Sequence, residues 1–161
     1  MQQRDRYPVI VQTDRQLMLM GTCIALWNHS EILIDLVTAI AMRPDTGLRH
    51  PVIEQSLDLK LKIIEFELGE HDIEEAKVIE IKAILGKIRT LSQKRNMIAH
   101  GTHIFDATDK ASAIVISKKR KDQPDDPFSE QSLEALAAEI TNVMACFQDA
   151  FVDLGWVKIA C

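Results

Sequence analysis

From Leu133 to Leu154, the residues Leu133, Leu136, Ala137, Ile140, Val143, Met144, Phe147, Phe151 and Leu154 recur at helical spacing without a break. A stripe that long commits the segment to an amphipathic helix and requires other apolar surfaces to cover it. The spacing predicts a helix starting at Ser129, with Phe128 packing on Leu133 as a hydrophobic staple, and ending at Gly155. Trp156 to Cys161 is then a short tail.

The rest of the chain supplies the cover. A first helix is expected from about Asp14 to Met42, capped by Thr13 or Asp14. Met20, Ile24, Trp27, Glu31, Ile34 and Thr38 share one of its faces, and Ile32, Leu33, Leu36, Ala39 and Ile40 cover another. A helix apolar on most sides is a central one. After the turn Pro44-Asp45-Thr46-Gly47, a second helix is expected from Pro51 to Leu68, stopped by Gly69. A third opens at Asp72, where Glu75 three residues on completes a capping-box pattern. It runs to Ala99 or His100, with the stripe Ile81, Ile84, Leu85, Ile88, Leu91 and Ile98, and Gly101 sits where a left-handed cap residue would.

Two short β-rich runs follow, His103-Ile104-Phe105 and Ala113-Ile114-Val115-Ile116, with a turn at 107–110. Lys118 to Pro127 reads as a charged loop. The expected architecture is all-α, a four-helix bundle with a short β-hairpin inserted between the third and fourth helices. Residues 1–12 form an N-terminal arm that packs on the domain or on a second copy, 13–155 a single helical domain, and 156–161 the tail. A chain of 161 residues, 47% hydrophobic and only 5% aromatic, suits one such helical core.

Charge and cysteines narrow the function classes. The net charge of −5 argues against a general nucleic-acid binder. The distribution differs from the sum: from Ile81 to Phe105 there are five Lys/Arg and no Asp/Glu, and Lys118-Lys119-Arg120-Lys121 is a second basic cluster. The three cysteines Cys23, Cys146 and Cys161 lie far apart with no CxxC, which points to a reduced, cytoplasmic setting and away from zinc. Cys23 and Cys146 are expected as core fillers. The apolar run Leu17 to Trp27 after Arg15 lacks a small-x-small cleavage site, and no uninterrupted apolar stretch reaches membrane-spanning length, so no membrane partner is expected. The five histidines show no metal-ligand spacing, and neither metal nor cofactor is expected.

The chemistry-bearing stretch is Lys94-Arg95-Asn96-Met97-Ile98-Ala99-His100-Gly101. With Ile88 as the centre of the third helix's stripe, Arg95 falls about 20°, Asn96 about 80° and His100 about 120° away. Asn96 and His100 are one turn apart, close enough to touch. An arginine so near an apolar seam needs a carboxylate, a partner or an anionic ligand. In one reading Glu31, on the first helix's stripe, pairs with Arg95 as a buried strut, and His100 is a C-terminal histidine favoured by the helix dipole. In the other, the stretch cleaves RNA without a metal. Arg95 grips the phosphate, His100 moves the proton, and Asn96 orients one of them. The acid-free run, with Lys94 and His103 as candidate RNA contacts, supplies the positive approach. Two third-helix ends meeting across a two-fold axis would supply both a base and an acid.

Arg95-Asn96-x-x-x-His100 resembles the R-polar-x(3)-H signature of HEPN domains, and Arg-Asn-Met-Ile-Ala-His-Gly resembles the form common in prokaryotic members. Trp27 and Glu31 are similar to the W-x(3)-E of the first helix in related bacterial proteins. The resemblance implies an all-α bundle, homodimers and, in many members, metal-independent endoribonuclease activity in toxin–antitoxin, abortive-infection or other defence systems. An RNA substrate and an antitoxin or other protein partner follow as expectations. The family's roles carry over to Arg95, Asn96 and His100, with Glu31 supporting. Other members of the family only bind or dimerise, so a non-catalytic HEPN-like module for protein or nucleotide binding is the alternative. One branch carries a modified tyrosine two residues after the histidine. Here that position is Thr102 and the only tyrosine is Tyr7, so that regulation is not expected.

Overall fold

The computed structural model describes residues 12–42, 55–100, 102–106, 111–115 and 129–157. Four helices make up its body: α1 Asp14–Ala41, α2 Leu57–Glu70, α3 Glu75–His100 and α4 Glu130–Asp153. Between α3 and α4 the backbone of β1 (Thr102–Asp106) pairs antiparallel with β2 (Ala111–Val115), Ile104 opposite Ala113. The arm up to Val11, the Pro44–Gly47 turn, Pro51, Gly101, the 118–127 loop, Phe128 with its staple, and the tail beyond Val157 lie outside the described residues.

The caps show why the helices begin where they do. Thr13 accepts from the Gln16 amide while the Gln16 side chain accepts from the Thr13 amide, so a reciprocal capping box opens α1. Ser129 accepts from the Ser132 amide and opens α4. α2 departs from expectation. It starts at Leu57, because Ser56 offers its hydroxyl to the Leu59 amide, and it runs through Gly69 to Glu70. α3 also starts later than expected. The carbonyl of Glu74 receives the Val78 amide, and Asp72 lies in the connection, where the Ile73 amide already bonds to the His71 carbonyl.

The end of α4 closes in a Schellman arrangement. Gly155 takes a left-handed φ of 70°, its amide bonds to the Val152 carbonyl, and the Trp156 amide reaches back to Phe151. The rings of Phe151 and Trp156 then pack at 5.3 Å, which is the hydrophobic contact that accompanies this motif.

The stripes meet in one core. Trp27, Ile34, Leu61, Ile64, Leu68, Ile81, Leu85, Ile88, Leu91, Leu133, Phe147 and Phe151 are all essentially inaccessible to solvent. Polar ties set the helix order around that core. Arg15 pairs with Glu130 and Glu134, joining the starts of α1 and α4. Lys94 with Glu139 and Lys77 with Asp153 run α3 antiparallel to α4. Arg89 holds Glu65 at 2.8 Å and reaches Asp58, joining α3 to α2. Lys60 of α2, 7% exposed, holds Asp35 of α1 at 2.5 Å. By length and composition α1 is apolar enough to cross a membrane, yet Cys23, Trp27, Ile34 and Val37 are in the bundle core.

Candidate functional site

α3 places its last two turns at the end of the bundle where α4 begins. Their exposure follows the helical wheel: Ile98 is buried, Arg95 half-buried, and Asn96 and His100 exposed. The Arg95 guanidinium lies across its neighbour. Its Nη1 donates to Asn96 Oδ1 at 3.1 Å, and its Nε is buried with no acceptor among the described residues. A buried guanidinium N–H without an acceptor costs about 1–3 kcal/mol, so the group is poised for an incoming acceptor. His100 is the last residue of α3, and its side chain is exposed.

The expected strut between Arg95 and Glu31 does not form. Among the described residues no carboxylate lies within ion-pair distance of Arg95. Glu31 instead accepts a 2.7 Å hydrogen bond from Nε1 of buried Trp27, one turn earlier on the same helix. Glu31 therefore holds the indole in the core and makes no ion pair with Arg95. Asn96 Oδ1 is the acceptor for the Arg95 guanidinium.

Lys94 is engaged with Glu139 of α4 at 2.7 Å. His103 falls within β1. The acid-free run is less positive in space than in sequence, because Arg89 and Lys94 both meet carboxylates from other helices. Lys82 and Lys87 remain exposed on α3.

Sequence reasoning missed the ion pair of Lys60 and Asp35, the most buried in the described bundle. A signal was present: Lys60 falls three residues after Leu57 and four before Ile64, in the middle of the apolar face of α2. Cys146 also departs from expectation. It is exposed, whereas Cys23 is buried and donates weakly to the Leu133 carbonyl.

An open hollow of about 610 Å³ lies at the other end of the bundle, between His71, Asp72, Glu74, Asp153 and Trp156. Lys77 on its wall is already held by Glu80 and Asp153. It is about 27 Å along α3 from Arg95 and takes no part in the motif. Among the described residues, no group of three or more His, Cys, Asp or Glu side chains is arranged to hold a metal ion. Compared with protein-family models, curated proteins and solved structures, the chain matches none.

Proposed function

We propose that the end of α3 is a metal-independent endoribonuclease site of HEPN type, acting in a homodimer. The reading places the protein in the cytoplasm, within a toxin–antitoxin or other defence system. It also takes the architecture as a HEPN-like bundle carrying a hairpin insertion. The observation that carries it is the guanidinium of Arg95. Its Nε has no acceptor among the described residues, its Nη1 is anchored by Asn96, and an exposed imidazole stands a turn further on.

The chemistry follows from those groups. The ribose 2′-OH attacks the adjacent phosphorus and its proton passes to the His100 imidazole. The bond from phosphorus to the 5′ oxygen breaks, and that oxygen takes a proton from an imidazolium. The products are a 2′,3′-cyclic phosphate and a 5′-OH end. Arg95 stabilises the charge that develops on the non-bridging oxygens. One chain brings one such histidine, and a second copy would bring the other.

The test is digestion of several RNAs with and without EDTA, with wild type beside His100→Ala and Arg95→Ala. Cyclic-phosphate ends that persist in EDTA and fall about 10²–10⁴-fold in His100→Ala are expected. No cleavage by folded wild type would turn the assignment to a non-catalytic HEPN-like binding module. That second reading draws on Asn96, which is engaged by Arg95 and not by His100.

A further inference from the structure

α1 carries more apolar surface than the bundle covers. No charged residue occurs from Gln16 to Ser30, and only 22% of the helix's most apolar window is buried. Met18, Ala25, Ile32 and Leu36 are all exposed, Ile32 at 68% and Leu36 at 48%. They fall within about 40° of one another around the helix. Beside them, Ile140, Thr141, Met144 and Ala145 of α4 form the other wall of an open groove. That stretch of α4 is also uncharged, from Thr141 to Gln148.

We propose that a second copy of this chain covers the α1–α4 groove. A surface that meets its own copy across a two-fold axis must complement itself, and any net charge on it would repel. The groove lining holds no Lys, Arg, Asp or Glu, and its one titratable side chain, His29, lies 2.9 Å from the Ala25 carbonyl, so a strongly basic or acidic partner would find no opposite charge there.

The area reaches what a small stable interface needs. From Gln16 to Leu36 the strip runs about 32 Å along α1. Two helices side by side are about 20 Å wide, hence about 600 Å² per copy. Specific interfaces begin at about 600 Å² from each partner. The exposed small residues Ala25 and Ala145 let a second pair of helices approach closely. The inference stands on this surface and not on RNA cleavage. It leaves the α3 ends outside the contact, so a further meeting at His100 would build an assembly larger than a dimer.

The experiment is sedimentation of the full chain over a concentration series. Wild type is compared with Ile32→Lys/Leu36→Lys and, from the other wall, Thr141→Lys. Phe66→Lys, exposed on α2, serves as a control, and Ala99→Lys probes the α3 end. Thermal melts establish that each variant folds. The expected result is a wild-type assembly of at least two copies whose mass at least halves in both groove variants and stays unchanged in Phe66→Lys. A monomeric wild type would overturn the proposal. So would an assembly that survives the groove substitutions and breaks only in Ala99→Lys. A monomer that floats with phosphatidylcholine–phosphatidylglycerol vesicles, and stops doing so in the groove variants, would assign the surface to lipid instead.

Discussion

Arg95 and Asn96 are joined side chain to side chain, Nη1 donating to Oδ1 at 3.1 Å, although adjacent residues on a helix ordinarily point apart. The bond spans the boundary between a half-buried and an exposed position. It fixes one edge of the guanidinium and leaves Nε for another acceptor. Under the proposed function Asn96 is a positioning residue for Arg95. Asn96→Ala is expected to lower RNA cleavage about 10–100-fold with little change in melting temperature, since exposed substitutions shift stability by only about 0.5 kcal/mol. Partial recovery in Asn96→Gln, read in the same cleavage assay, would follow if the amide oxygen is what matters.

Arg95 itself separates a strut from a ligand group. With Nε lacking an acceptor, Arg95 contributes no buried ion pair among the described residues. Arg95→Met keeps the packing of the aliphatic stem and removes the orphaned donor. The expected change in unfolding free energy is within about 1 kcal/mol of zero, or stabilising. Urea denaturation checks this. A loss of about 3–5 kcal/mol would be the signature of a strut.

The strut that does exist is Lys60 with Asp35, which ties α2 to α1. Removing one partner strands the other, so Asp35→Ala or Lys60→Ala is expected to cost about 3–5 kcal/mol. The double replacement Asp35→Leu/Lys60→Met leaves no buried charge and is expected to recover most of the loss. The four denaturation curves form a double-mutant cycle, and additive single losses would show that the pair is not coupled.

These residues show which parts of the protein could be read in the chain. The helices and the caps Thr13, Ser129 and Gly155 follow from local chemistry, since each cap acts within a few residues of itself. The start of α2 was misplaced because Pro51 and Ser56 are both valid openings, and the hydroxyl of Ser56 satisfies an amide that a proline cannot. The ion pairs were harder. Glu31 is expected to meet Arg95, distant in sequence, whereas the partner it takes is Trp27, one turn away. Lys60 and Asp35 meet only because α2 folds back on α1, which no local pattern encodes. For Arg95, Asn96 and His100 the helical wheel gave the order of exposure. The bond between Arg95 and Asn96 depends on side-chain torsions and could not be read.

The two described cysteines should behave oppositely. Burial pushes the Cys23 thiol above its ordinary range and leaves it protonated, while Cys146 is exposed on α4. In a Cys161→Ser background, iodoacetamide is expected to label Cys146 in the native protein and Cys23 only after unfolding. Equal labelling at both, read by peptide mass spectrometry, would mean that α1 and α4 open where Cys23 meets Leu133.

Acid should weaken one tie of α2. The Asp58 carboxyl sits below the usual carboxylate range, chiefly through its hydrogen bond with Lys62, then through the charges of Lys62 and Arg89. A carboxylate lowered by folding stabilises the fold above its unfolded pKa, about 3.9. That stabilisation is lost as pH falls from there through the lowered folded value, because the unfolded chain then binds the extra proton. Asp58 is exposed, so the effect is modest and screened by salt. Urea midpoints measured from pH 6 down to about pH 2.5 are expected to fall more steeply in wild type than in Asp58→Asn. The difference should shrink in 1 M NaCl, where the Debye length is only about 3 Å. Parallel curves at low salt would mean that Asp58 does not contribute to the acid sensitivity.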